Sequence, residues 1–246
     1  INDIYDVDTD LVNTPNKVII GRSISEKKAF SFYIILTVIG VGLGFYLSNL
    51  VGRSGFSAIF VIISALLYIY ATYLKQTTLI GNIVISFLVA MGLIIVGLFE
   101  LLPVITAQNQ ETQLTFFKII FDYAMFAFMI NLLREIVKDI EDVNGDYNAE
   151  MKTLPIVIGR DRATKVVFAL SFIPLLSVIY YLVTFLYKHY IAVGYFLIFI
   201  IAPLLYFTIK SYTAELKEEV SLLSVLLKFI MLFGVISLLL YPFILK

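Results

Sequence analysis

The sequence predicts an all-α integral membrane protein with seven visible spans, and three observations predict it. Of its 246 residues 61% are hydrophobic and only 15% charged, with a mean hydropathy of +0.97. A soluble domain carries about half apolar and about a quarter charged residues. Apolar stretches of bilayer length, roughly 20 residues, recur along the whole chain. Within them Phe, Ile, Leu and Val follow one another without strand-like alternation, so helices rather than a β-barrel satisfy the backbone in lipid.

Taken in order, the spans fall near 30–50, 56–74, 80–102, 114–136, 166–187, 190–209 and 222–245. Gly52-Arg53-Ser54-Gly55 ends the first, Lys75–Thr78 the second and Pro103–Gln113 the third. A long polar segment, 137–165, follows the fourth; Lys188-His189 and Lys210–Val220 set off the last two. Seven spans put segment 1–29, the turn after Lys75, segment 137–165 and segment 210–221 on one side. That side carries 13 Lys and Arg, including Lys17, Arg22, Lys75, Arg134, Lys138, Lys152 and Lys217. The other side and its flank carry four: Arg53, Lys118, Lys188 and Lys246. The charge-rich side is therefore expected to be cytoplasmic.

Composition excludes several chemistries. With no Cys there is neither disulfide nor thiolate metal site, and the single His189 cannot build a His-based zinc site. A net charge of +0 argues against nucleic acid as a partner. The acids are concentrated: 10 of the 18 sit in residues 1–10 and 134–150, both on the predicted cytoplasmic side.

The first acidic window reads Asn2-Asp3-Ile4-Tyr5-Asp6-Val7-Asp8-Thr9-Asp10, with Asn2, Asp6 and Asp10 at i, i+4 and i+8 on one helix face. The second has Glu135, Asp139, Asp142 and Asp146 spaced four, three and four, again one face. Carboxylates aligned in this way repel, so a cation should compensate. Hard oxygen donors without Cys or a usable His suit Mg²⁺, which takes one or two carboxylates together with substrate phosphates. Two such clusters point to two metal ions clamping one diphosphate. A solvated acidic loop is the alternative; acids that keep helix phase twice at a membrane edge argue against it.

Asn2-Asp3-x-x-Asp6-x-x-x-Asp10 resembles the first motif of the UbiA superfamily of intramembrane prenyltransferases. Asp142-x-x-x-Asp146, followed by Lys152-Thr153-Leu154-Pro155 and Gly159, resembles its second motif and the segment after it. The resemblance implies a multi-helix bundle around a central cavity, in which the two motifs face each other and hold Mg²⁺ and diphosphate. The partners it implies are a prenyl diphosphate, a lipophilic or phosphorylated acceptor, and membrane lipid. The metal set would be Asn2, Asp6, Asp10, Asp139, Asp142 and Asp146, with Asp6, Asp10, Asp142, Asp146 and Lys75 catalytic. Asn2, Lys17, Arg22, Arg134 and Lys152 would contact substrate, the cytoplasmic segments 11–28 and 147–164 capping the site.

The run Arg134-Glu135-Ile136-Val137-Lys138-Asp139-Ile140-Glu141-Asp142-Val143-Asn144-Gly145-Asp146 is most similar to the branch that prenylates prenylglyceryl phosphates in ether-lipid synthesis. An aromatic or quinone-precursor acceptor is the alternative within the family, and a cation-coupled transporter the alternative outside it. A transporter would carry its acids near the bilayer midplane, whereas these lie at its edge. Three features depart from the family pattern. The family has nine spans, so two are expected upstream of Ile1 and the single domain over 1–246 is expected to be truncated. Ala71 stands where a Tyr precedes the basic residue Lys75 by four, with Tyr70 and Tyr73 beside it. Glu150 stands where a Gly often follows the second motif.

Overall fold

A computed structural model describes residues 1–214 and 216–245; Glu215 and Lys246, the latter counted above among the far-side charges, lie outside the described residues. Among the described residues the chain is helical and forms no β-strand, only an isolated bridge between Ile20 and Ile24. Two short helices come first, α1 (Asn2–Tyr5) and α2 (Val7–Asn13). Seven helical stretches are long and apolar enough to cross a membrane: Glu26–Leu50, Ser54–Thr72, Ile80–Val104, Gln110–Glu141, Arg160–Leu186, Tyr190–Thr213 and Lys217–Ile244. They match the seven predicted spans one for one. The protein is an integral, multi-pass membrane protein.

The larger boundary differences run in one direction. The fourth helix runs Gln110–Glu141 where hydropathy marks 114–136, the fifth begins at Arg160 rather than near 166, and the seventh at Lys217 rather than near 222. Hydropathy ends where charges begin. Backbone hydrogen bonding does not, so these helices continue for a turn or more beyond the apolar runs.

The membrane helices are α3 (Glu26–Leu50), α4 (Ser57–Thr72), α5 (Ile80–Leu101) and α6 (Gln110–Glu141). Two short helices, α7 (Val143–Asn148) and α8 (Leu154–Ile158), follow α6. Then come α9 (Arg160–Tyr181), α10 (Tyr190–Phe196), α11 (Ala202–Thr213), α12 (Lys217–Ile236) and α13 (Tyr241–Ile244). Helix α6 is the axis, packed against α5, α9 and α12. Its Leu133, Ile136, Val137 and Ile140 join Val167, Leu204, Phe207 and Leu227 in one buried core. Lipid is as apolar as these side chains, so close packing rather than transfer from water holds the helices together. Gly44 illustrates the fit: a Cβ there would lie 2.3 Å from the Phe60 ring. Outward faces remain apolar for lipid contact, as at Leu36, Val38 and Tyr180.

Candidate active site

Each acidic window forms two helical pieces rather than one continuous face. The first breaks at Asp6, between α1 and α2, with φ −99° and ψ 1°; the second breaks at Asp142, between α6 and α7, with φ −96° and ψ 7°. Both acids occupy the sparsely populated bridge between the helical and extended regions, where many active-site residues sit. The bends turn the short helices across the end of the bundle. Asn2, Asp6 and Asp10 come from one side and Glu135, Asp139, Asp142 and Asp146 from the other. All seven line one cavity of about 60 Å³.

Two ammonium groups enter the same cavity, Lys75 and Lys138. Lys75 forms an ion pair with Asp6. It sits on the single turn Leu74–Gln76, which presses on the start of α5 so tightly that a Cβ on Gly81 would lie 2.5 Å from the Leu74 carbonyl oxygen. Lys138 has no ion-pair partner among the described residues. Neutral groups orient two of the remaining acids, and a cation orients a third. The Asn82 amide donates to Asp139 Oδ2 at 2.8 Å, and Thr153 Oγ1 donates to Asp146 Oδ2 at 3.1 Å. Arg134 donates to Glu135 at 2.6 Å.

Six carboxyl groups against two ammonium groups leave the cavity with excess negative charge. Burial raises the Asp10 and Asp142 carboxyls above the usual range, Asp6 adding to the effect at Asp10 while Lys138 opposes it at both. Burial pushes Asp146 up to about 6, against the pull of its Thr153 hydrogen bond. Each of these groups holds its proton more readily than in water, because burial disfavours the charged form more than Lys138 restores it.

A second cavity, about 310 Å³ and apolar, lies between α5, α6, α9, α10 and α12, lined by residues such as Leu93, Phe126, Ile130, Val178 and Ile230. Along α6, Ile130 precedes Glu135 by five residues, about 7–8 Å at the helical rise. One helix thus carries an acidic chamber at its end and an apolar chamber just below it.

Residues 1–225 match the UbiA prenyltransferase family. The chain belongs to that family. It is similar to digeranylgeranylglyceryl phosphate synthase of Methanosphaera stadtmanae, 32% identical over 96% of this chain and 79% of that one. The protein of the same name from Korarchaeum cryptofilum is 31% identical over 99% of this chain and 80% of that one. A solved structure from work on digeranylgeranylglyceryl phosphate synthase in membranes superposes with a TM-score of 0.59, at 25% identity over 96% of this chain and 77% of that chain. As a UbiA prenyltransferase the protein is an enzyme that transfers prenyl groups, which sets the transporter reading aside.

Of the residues the sequence analysis singled out, this UbiA prenyltransferase brings Asn2, Asp6, Asp10, Lys75, Asp139, Asp142 and Asp146 together. Lys17, Arg22 and Lys152 are exposed and do not line the cavity. Arg22 Nη1 donates to the Pro15 carbonyl at 2.7 Å, holding the turn after α2. The Lys152 backbone bonds Gln76 and Thr78, at 2.8 and 2.6 Å, tying the segment after α7 to the turn that carries Lys75. Arg134 reaches the cavity only through Glu135. Lys138, which by sequence reads only as one of the cytoplasmic-side charges, shares a helix face with Glu135 and Asp142 at spacings of three and four. Asn13, Thr9 and Thr153 also line the cavity; nothing in their spacing distinguishes them from ordinary loop residues. Tyr70 supplies a phenol on the wall beside Ala71, while Tyr73 is 65% exposed.

Oxygen-rich side chains with no sulfur or imidazole are the donors a hard divalent cation takes. In kind they fit Mg²⁺. Among the described residues no three acids or histidines stand close enough to ligate one ion in common.

Proposed function

We propose that this enzyme transfers a prenyl group from a prenyl diphosphate to a prenylglyceryl phosphate, with Mg²⁺, at the cytoplasmic end of the bundle. The observation that carries the reading is the stacking of the two chambers along α6. A charged chamber receives the diphosphate, and an apolar chamber of about 310 Å³ receives the hydrocarbon, so the bond to be broken lies between them. The names of the curated relatives support the acceptor, as does the run Arg134 to Asp146. The excess of Lys and Arg on the same side supports the cytoplasmic location.

Asn2, Asp6 and Asp10 on one wall, and Asp139, Asp142 and Asp146 on the other, would hold the metal. Bound there, Mg²⁺ neutralises diphosphate charge and makes it a better leaving group. Lys75 and Lys138 supply the remaining positive charge at the diphosphate oxygens, as charge-assisted donors. Asn82 and Thr153 keep two carboxylates aimed inward, so little reorganisation accompanies the reaction. The carbon–oxygen bond to diphosphate breaks, the acceptor hydroxyl oxygen bonds to the same carbon, and its proton passes to the released diphosphate. The apolar chamber keeps water from the allylic centre, which water would otherwise capture.

The test is to incubate membranes containing the full chain with labelled prenyl diphosphates and a panel of acceptors. A prenylglyceryl ether is the expected product. Prenylated 4-hydroxybenzoate or naphthoate in its place would overturn the acceptor assignment while leaving prenyl transfer intact.

A further inference from the structure

We infer that Asn13 is a positioning residue that fixes the two acidic motifs against one another across the cavity. The inference rests on the reading of that cavity as the diphosphate and metal site. Asn13 is the last residue of α2, one turn beyond Asp10. Its amide makes two bonds to the second motif and uses both of its polar ends. Nδ2 donates to the carbonyl oxygen of Asp142 at 3.0 Å, and Oδ1 accepts from the backbone N–H of Gly145 at 3.0 Å. Both partners are backbone groups, one belonging to a proposed ligand and the other adjacent to Asp146.

A paired donor and acceptor read against backbone restrict rotation as well as separation, as a pairing between strands does. The rest of the contact gives the same reading. A Cβ on Gly145 would lie 2.3 Å from Asn13 Nδ2 and 2.7 Å from the Thr9 carbonyl oxygen. The side chain of Asn13 could swing away, but the α2 backbone could not, so α2 and α7 touch at a point that admits no side chain. From the opposite direction Lys217, at the start of α12, donates to the Asn13 carbonyl at 3.3 Å. Segments 129 and 204 residues away in sequence therefore converge on this one asparagine.

The consequence is geometric. Asp6 and Asp142 both sit at bends in the chain, where the backbone alone does not dictate direction. With Asn13 in place the bent pieces are locked together; without it α2 and α7 are held by packing of two short helices. A displacement of about 1 Å at a reacting centre can cost about 100-fold in rate, so the clamp acts on turnover through the acids rather than by touching substrate.

The chain has no Cys, so a spin-label pair can be placed cleanly at Leu11→Cys and Tyr147→Cys, exposed positions on α2 and α7. In the metal-free full chain, Asn13→Ala should broaden and lengthen the distance distribution between these labels. The same substitution should raise the Mg²⁺ concentration for half-maximal activity at least tenfold and lower kcat, with the acceptor KM unchanged. Gly145→Ala should do the same, and the double variant should lose less than the product of the two, because part of the clash is with Asn13 itself. Asn13→Asp keeps an acceptor for Gly145 but no donor for Asp142, and should fall between wild type and Asn13→Ala; it also serves if the alanine variant fails to fold. An unchanged label distance in Asn13→Ala, or an unchanged Mg²⁺ requirement beside a Mg²⁺-dependent wild type, would overturn the inference. A wild type indifferent to Mg²⁺ would instead overturn the functional reading, and the label distance alone would then decide the clamp.

Discussion

At the scale of single residues, what distinguishes this site is that its acids are not equivalent. Asp6 and Asp142 occupy bends, Asp139 and Asp146 are fixed by Asn82 and Thr153, and Asp10 faces the cavity from the middle of α2. Asp6→Ala or Asp142→Ala should lower transfer by about 100-fold or more, the loss typical of a lost group at a site of developing charge, with normal membrane insertion. Lys138→Gln removes the cavity ammonium that has no ion-pair partner among the described residues. A charged hydrogen bond is worth about 1.5–3 kcal/mol, so kcat should fall about 10- to 150-fold. By contrast, Lys17→Ala and Arg22→Ala should change apparent diphosphate affinity less than Lys138→Gln does, since both are exposed outside the cavity. Steady-state kinetics on the variants checks the ordering. Gly81→Ala probes position rather than charge: its Cβ would meet the turn that carries Lys75, so activity should drop although no polar group is lost.

At the scale of elements, α6 does most of the organising. One face of its final turns bears the acids, and the turns just before line the apolar chamber. A polar chain connects it to α5. The Asn131 amide donates to Ser86 Oγ at 3.2 Å, Ser86 donates to the Asn82 carbonyl at 2.5 Å, and Asn82 holds Asp139. Hydrogen bonds between membrane helices are worth about 0.6 kcal/mol on average and about 1.7 at most. Asn131→Leu should therefore cost little stability by thermal unfolding in detergent, yet still lower activity by loosening Asp139. Ile130→Trp acts on the other chamber. It should fill that volume and penalise the longest prenyl donors most, which a comparison of kcat/KM across chain lengths would reveal. Equal losses for all donors would mean that the hydrocarbon lies elsewhere.

At the scale of the whole molecule, the acids gather at one end of a bundle whose sides are apolar. Tyr147 and Tyr190, both strongly exposed, stand at opposite ends of that bundle by the parity of the spans between them. A membrane-impermeant thiol reagent should label Tyr147→Cys only from the cytoplasmic side of sealed vesicles and Tyr190→Cys only from the other. Labelling of both from one side would remove the topology. Exhaustive chelation should abolish turnover, and restored Mg²⁺ should recover it; persistent activity would remove the metal from the mechanism.

Period and composition alone determined the class of this protein. Seven apolar runs with breaks between them demand seven helices, because lipid offers no partner for an unpaired backbone group. The Asn and Asp spacings likewise made the two acidic motifs legible, since the chemistry resides in residue type and short-range order; Lys75 is indicated only by the resemblance to the family. Tertiary structure decided what spacing cannot express. That Lys138 also faces Asp6 and Asp10 of the other motif, that Asn13 joins α2 to α7, and that Lys152 contributes its backbone rather than its charge all depend on contacts between segments far apart in sequence. The bends at Asp6 and Asp142 belong here too. A helical pattern continues through both positions, and only packing across the end of the bundle turns one predicted face into two short helices closing on a shared cavity.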